Sequence, residues 1–177
     1  MWFKNLTVYR LPADWSWSAA GLEEALARRP LQPCSPFEMR SMGWVAPATT
    51  DRLLHTLGEH HLLALGVEQK LLPASIVRQE AERRARARAE SQGFPVGRRQ
   101  MRALRMQVLE ELRARALSRR RVTRAWLDPR GGWLVVDSAS DRRAEELIET
   151  LRDTLGSLAV QKVDTERSPS EIGRAHV

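Results

Sequence analysis

The densest group of chemically capable side chains in this sequence lies between residues 113 and 124. It consists of six arginines with no acidic residue among them: Arg113, Arg115, Arg119, Arg120, Arg121 and Arg124. Such a group repels itself unless an anion neutralises it, and a guanidinium can bind phosphate oxygens through two parallel hydrogen bonds. The pattern therefore predicts a phosphate-binding surface.

A second basic pattern precedes this group. Its arginines are spaced four and three residues apart, which places them on one face of a helix: Arg98, Arg102 and Arg105. An apolar stripe runs beside them, with spacings of three, four and four residues: Met101, Leu104, Val108 and Leu112. This arrangement is typical of an amphipathic helix, with the apolar stripe packed inward and the arginines available to a ligand.

The net charge of the chain is concentrated in one segment. The 177 residues carry a formal charge of +7, with a pI near 10.8. Residues 71–125 hold 15 arginines and 5 acidic residues, whereas residues 1–70 are balanced and residues 126–177 are mildly acidic. This asymmetry indicates a polyanionic partner, most often nucleic acid. For residues 78–90 alone, a solvated helix face is the simpler interpretation.

No motif for catalysis or metal binding is evident. The sequence contains no GxGxxG, P-loop, GxSxG or HExxH pattern. Cys34, the single cysteine, has no histidine near it in sequence and is interpreted as a buried apolar residue. His60 and His61 are interpreted as the start of a strand. We therefore expect no catalytic residue, no cofactor and no metal site.

Hydrophobic periodicity and turn residues predict an α+β fold with mixed strands and helices. The predicted strands are 2–10, 43–45, 61–67, 118–127, 133–137 and 158–163, with a turn at 128–132 joining two of them. A helix capped by Ser18 extends to about Arg29, and one capped by Ser140 ends at Gly156. Two further helices, 78–90 and 97–117, are separated by the Gly93–Pro95 break and form a basic helical hairpin inserted over 75–117.

Features of membrane insertion or secretion are not apparent in the sequence. No apolar run approaches the roughly 20 residues that cross a bilayer, and the first residues lack a basic region followed by an apolar one. We expect a cytoplasmic protein with no membrane partner.

Several segments resemble the bacterial recombination-associated protein family RdgC. They occur in the order of the family, across residues 1–160: WFKNL (2–6), YRL (9–11), PC (33–34), MGWV (42–45) with Pro47, KLLP (70–73), RALSR (115–119) and LGSL (155–158). The combination of WFKNL and MGWV is the most specific part of the resemblance.

The resemblance implies a nucleoid-associated protein that binds double-stranded DNA without sequence specificity and restrains recombination promoted by RecA. Family members form a homodimeric ring with a basic inner surface. Arg115 matches a ring-lining arginine of the family. Leu117 matches a phenylalanine that closes the ring through a helical gate, so the gate contact here is expected to be smaller.

The resemblance also predicts how the chain is organised. Residues 1–74 and 118–163 are expected to form a central α+β domain, and 75–117 the gate hairpin. Family chains continue further, and the ending EIGRAHV (171–177) resembles a translated sequencing adaptor. Residues 164–177 are therefore predicted to be a non-native tail on a truncated chain.

The resulting hypothesis is a non-catalytic, homodimeric DNA-binding protein of the nucleoid. Its predicted contacts are Arg98, Arg102, Arg105, Arg113, Arg115, Arg119, Arg120, Arg121 and Arg124, with Leu117 at the dimer gate. Two alternatives fit the same charge distribution: a module whose hairpin docks an acidic protein partner, and an RNA-binding factor.

Overall fold

A computed structural model describes residues 3–163 of the chain. In this part of the chain the predicted α+β class is confirmed, with four helices and seven strands. The strands are β1 (Leu6–Arg10), β2 (Arg40–Val45), β3 (Leu54–Leu57), β4 (His60–Lys70), β5 (Ser118–Asp128), β6 (Trp133–Asp137) and β7 (Gln161–Lys162). The helices are α1 (Ala19–Ala27), α2 (Ala74–Gln92), α3 (Arg98–Arg115) and α4 (Asp141–Leu155).

The strands form one sheet in the order β2, β4, β5, β6, β1, β7, with β3 paired to β4. The β5–β6 hairpin is antiparallel, with Asp128 opposite Trp133. Its turn is the predicted one: the Gly131 N–H donates to the Asp128 carboxylate at 2.9 Å, and Gly132 adopts a positive φ of 73°. A positive φ favours glycine because it has no Cβ.

Several predicted boundaries were wrong. Strand β3 was not predicted, and β7 is two residues long rather than spanning 158–163. Helix α2 begins at Ala74, four residues before the predicted start. The predicted tail, residues 164–177, lies outside the described residues.

The ends of α1 and α4 follow the predicted capping residues. The Ser18 hydroxyl accepts a hydrogen bond from the Gly21 N–H at 3.1 Å, which satisfies a free donor of the first turn of α1. Ser140 occupies the N-cap position of α4, although its side chain makes no capping hydrogen bond there. Gly156 ends α4 in the left-handed conformation, as predicted.

The chain divides into two compact units. Within the described residues, the first comprises 3–30, 44–65 and 122–163, and the second comprises 31–43 and 66–121. The predicted hairpin insert lies inside the second unit. The division into a central domain and an insert stays a prediction.

The first unit contains the larger apolar core. Residues of α1, α4 and β6 are fully buried in it: Leu22, Leu26, Leu134, Val136, Leu147 and Leu151. Trp44 is also buried, and its indole N–H donates to the Thr154 hydroxyl at 3.0 Å. Trp133 is only half-buried, and the Arg10 guanidinium lies 3.6 Å from its ring centre.

Helices α2 and α3 pack against each other in the second unit. Ala81 and Ala85 are buried on α2, and Leu104 and Val108 on α3. The two ends of the predicted apolar stripe on α3, Met101 and Leu112, are half-buried. The small alanines allow the two helices to approach closely, which explains how a helix as polar as α2 can pack at all.

Candidate nucleic-acid interface

The exposed face of α3 brings the predicted basic stripe together. Arg98, Arg102 and Arg105 are all exposed, and with Val96 and Met101 they line a concavity of about 460 Å³. Within residues 3–163, none of these three arginines forms an ion pair. Their positive charge is therefore available to an external anion.

The arginines of α2 include two that are neutralised by acidic residues of the hairpin. The Glu80 carboxylate accepts hydrogen bonds from Arg83 Nε and Arg84 Nε, each at 2.8 Å. Arg84 Nη2 also lies 2.7 Å from Glu111 Oε2 on α3. The bonds from Arg83 and Arg84 lower the pKa of Glu80 to about 2. These arginines join the two helices and are less available to a ligand than those of the α3 face.

The last turn of α3 carries two more of the predicted arginines, Arg113 and Arg115. Positive charge is favourable there because the helix dipole places partial negative charge at the C-terminal end. Arg115 is exposed. Arg113 is half-buried, and its Nε atom is buried without a hydrogen-bond partner in the described part of the chain.

The three consecutive arginines at the start of β5 do not all lie on one face. Successive side chains of a strand point to opposite faces of the sheet, so Arg119 and Arg121 share one face and Arg120 lies on the other. Arg119 and Arg120 are exposed, whereas Arg121 is half-buried. The sequence cluster is therefore split by the strand that carries it.

Arg120 is bound to an acidic residue that the sequence analysis missed. Its Nη2 atom lies 3.3 Å from Glu68 Oε2 on β4. Glu68 is buried, at 9% exposure, and its other carboxylate oxygen accepts the Cys34 N–H at 3.3 Å. Hydrogen bonds from the Ser118 side chain, the Cys34 N–H and Arg120 hold the pKa of this carboxyl below its usual value. The available signal was an acidic residue inside an otherwise apolar strand.

Arg124 belongs to the first compact unit, whereas the other eight arginines belong to the second. It is half-buried, and its Nε donates to the Pro47 carbonyl at 3.1 Å. Part of its hydrogen-bonding capacity is therefore used inside the protein.

The predicted gate residue, Leu117, lies between α3 and β5 and is 80% exposed. Its carbonyl oxygen accepts the Leu71 N–H at 2.7 Å. Leu71 and Ile76 are also exposed, at 55% and 46%. Three large apolar side chains at the base of the hairpin are thus uncovered.

Cys34 is half-buried rather than fully buried, and its environment does not activate the thiol as a nucleophile. Burial raises the pKa of the Cys34 thiol, which donates to the Glu68 carbonyl at 3.4 Å. A nucleophilic cysteine needs a lowered pKa.

His61 is buried on β4, its Nδ1 lies 3.1 Å from the Thr56 hydroxyl, and burial lowers its pKa.

Residues 3–163 contain neither a cluster of metal-ligating side chains nor a membrane-spanning helix. No group of three or more His, Cys, Asp or Glu side chains there is arranged to hold a metal ion. No helix there is both long and apolar enough to cross a membrane.

The described residues form an α+β fold with an arginine face on a two-helix hairpin, and three arginines of that face form no ion pair there. Comparison with known proteins defines the family. A family model described as "Putative exonuclease, RdgC" matches residues 1–172. The chain belongs to the RdgC family, so the family resemblance expected from the sequence is confirmed.

Curated relatives carry the name "Recombination-associated protein RdgC". The protein from Dechloromonas aromatica is 44% identical over 169 residues, which are 96% of this chain and 56% of the relative. Those from Janthinobacterium and Herminiimonas arsenicoxydans are each 43% identical over the same shares. The chain thus spans just over half the length of the curated relatives that it matches.

Proposed function

We propose that this chain binds double-stranded DNA through its phosphates, without sequence preference and without catalysis. The observation that carries the proposal is the face of α3, where Arg98, Arg102 and Arg105 are exposed and without ion-pair partners in the described part of the chain. Arginine forks matched to phosphate oxygens supply affinity but carry no direct information on base sequence.

The remaining candidate contacts are Arg113, Arg115, Arg119, Arg120, Arg121 and Arg124. They differ in availability: Arg115, Arg119 and Arg120 are exposed, Arg120 binds Glu68 through one edge only, and Arg124 is half-buried and binds the Pro47 carbonyl. We therefore expect the α3 face and Arg115 to contribute most, with Arg124 contributing least.

A salt titration tests this proposal. Each phosphate that is neutralised contributes about −0.9 to the slope of log K against log salt concentration. If six or more arginines contact phosphates, affinity should fall by at least about 1,000-fold between 50 and 200 mM salt. Gel-shift measurements on two duplexes of unrelated sequence should give equal affinities. An affinity that does not change with salt concentration, or that is much higher for one duplex than for the other, would contradict the proposal.

A charge-matched pair of variants locates the surface. The triple variant R98Q/R102Q/R105Q removes three positive charges from α3, and R78Q/R86Q/R88Q removes three exposed ones from α2. The α3 variant should flatten the salt slope by about 2.7, at 0.9 for each lost phosphate contact. The α2 variant should change the slope much less. Equal effects would mean that only total charge matters.

The name of the relatives supports a role in recombination. We propose that the protein occupies duplex DNA in the nucleoid and thereby restrains strand exchange promoted by RecA. In a strand-exchange assay, the wild-type chain should slow product formation at concentrations that saturate the duplex. The α3 triple variant should not.

The non-catalytic part of the proposal is tested separately, because the family description includes a nuclease activity. Linear duplex DNA, labelled at either end and incubated with the chain and Mg²⁺, should stay intact. Release of labelled nucleotides that increases with protein concentration would contradict it.

We also propose a homodimer through the apolar patch around Leu117.

Structured RNA and an acidic protein, tested as competitors, should displace duplex DNA from the chain poorly.

A further inference from the structure

Glu68 occupies a position where three separate segments of the second unit meet. Its carboxylate accepts the Cys34 N–H at 3.3 Å and lies 3.3 Å from Arg120 Nη2. It also accepts a hydrogen bond from the Ser118 side chain. Only 11% of the Glu68 side chain is exposed. A carboxylate bound on several sides and shielded from water is held in one place.

The neighbouring lysine does not compete with Arg120 for this carboxylate through a direct bond. Lys70 is buried on the same strand, and its Nζ donates to the Ser35 carbonyl at 2.6 Å. The Lys70 N–H in turn donates to the Met39 carbonyl at 2.9 Å. Residues 34–39 are thus tied to the end of β4 at both Glu68 and Lys70, which further fixes the carboxylate.

Arg120 is bound to Glu68 at one edge only. A guanidinium has five N–H donors in a rigid plane, and Arg120 contacts Glu68 through Nη2. The Arg120 side chain is 55% exposed. Its other donors therefore remain available to a ligand, while the bond to Glu68 restricts the orientations that this long side chain can adopt.

We infer that Glu68 is a positioning residue for DNA binding, whose buried carboxylate orients the Arg120 guanidinium so that its outward N–H groups meet a phosphate. The inference rests on the proposed function. It runs against simple electrostatics, because a carboxylate beside a DNA surface should weaken binding by repulsion. The two explanations predict opposite changes in DNA affinity when the Glu68 charge is removed, so the inference can be tested.

The central experiment compares E68Q with E110Q in the full 177-residue chain. Both substitutions remove one negative charge, and Glu110 is exposed on α3 with no ion pair in the described residues. General electrostatics predicts that both variants bind duplex DNA more tightly. Positioning predicts that E110Q binds slightly more tightly whereas E68Q binds about 3- to 10-fold more weakly, with a salt slope flatter by about 0.9 for one lost phosphate contact.

A double-mutant cycle with R120Q separates positioning from a general structural effect. If Glu68 acts through Arg120, then E68Q should change the affinity of the R120Q variant no more than E110Q does. The inference would be overturned if E68Q weakened DNA binding of the R120Q variant by as much as it weakens that of the wild type. It would also be overturned if E68Q alone tightened binding as E110Q does.

Folding is checked by circular dichroism and thermal unfolding of each variant. If E68Q does not fold, R120K replaces it as the deciding variant. A lysine keeps the charge but lacks the rigid fork, so positioning predicts a loss close to that of R120Q. Wild-type affinity in R120K would overturn the inference. If the wild-type chain binds no DNA, both the proposed function and this inference are overturned. If the wild-type chain shows salt-dependent binding and E68Q has the same affinity for duplex DNA as E110Q, this inference alone is overturned.

Discussion

The backbone N–H of Leu71 donates to the carbonyl oxygen of Leu117 at 2.7 Å, although both side chains remain exposed. Leu71 lies three residues before α2 and Leu117 two residues after α3, so this bond joins the two ends of the hairpin. The backbone is ordered by the hydrogen bond while two large apolar side chains are left uncovered. A fixed apolar pair at the surface is suited to association with another copy of the chain.

The first prediction concerns that association. L117D should lower the fraction of dimer, because it places a charge in the proposed contact. It should change the free energy of unfolding by no more than about 0.5 kcal/mol, as is usual for surface substitutions. Sedimentation velocity over a range of protein concentrations measures the dimer fraction. The matched control is L57D, since Leu57 is 74% exposed on β3; an equal shift in both variants would argue against a specific patch.

A second prediction concerns the pH dependence of the hairpin. Arg83 and Arg84 lower the pKa of Glu80 from 4.5 to about 2 on folding. A lowered folded-state pKa stabilises the protein above the unfolded pKa, and this stabilisation is lost as the pH falls from about 4.5 to about 2. E80Q should therefore unfold at a lower temperature than the wild type at pH 7, and the difference should shrink below pH 4.5. Thermal unfolding at pH 7, 4.5 and 3 measures this. A difference that grows on acidification would contradict the assignment.

The third prediction concerns packing inside the hairpin. Leu104 is 7% exposed on α3, and L104A should reduce the free energy of unfolding by about 2–4 kcal/mol through lost burial and a residual cavity. Met106 is 52% exposed on the same helix, so M106A should cost far less. Urea unfolding measures both. The positions of the α3 arginines depend on this packing. At a urea concentration near the unfolding midpoint of L104A, the L104A variant should therefore bind DNA more weakly than the wild type. At the same urea concentration, M106A should not.

Local signals predicted the hairpin and the two capped helices. The apolar stripe of α3 repeats at helical spacing over four positions, and Ser18 and Gly156 mark helix ends by their own chemistry. Strand β3 escaped prediction because LHTL is short and mostly exposed, with only Leu54 buried. Its identity as a strand comes from pairing with β4, which no local pattern reports.

Most residues of the candidate site could be predicted from the sequence, but their arrangement in space could be predicted only in part. The arginines of the α3 face were found because helical spacing places them together. The role of Glu68 was not, since its partners Cys34 and Arg120 lie 34 and 52 residues away in sequence. A carboxylate that binds across such distances is recognised only once the strands are paired.

The alternation of β5 gives the last prediction, which concerns the three consecutive arginines. Arg119 and Arg120 are both exposed, but they point to opposite faces of the strand. A duplex that lies against one face meets only one of them. We expect the duplex to lie on the Arg120 face, because Glu68 orients the Arg120 guanidinium toward a phosphate. R120Q should therefore weaken binding and flatten the salt slope by about 0.9. R119Q removes the same charge but should change the slope by less than half of that. Salt titrations of the two variants on one duplex measure the difference. Equal slopes would mean that DNA contacts both faces, and a larger effect of R119Q would place the duplex on the face shared with Arg121.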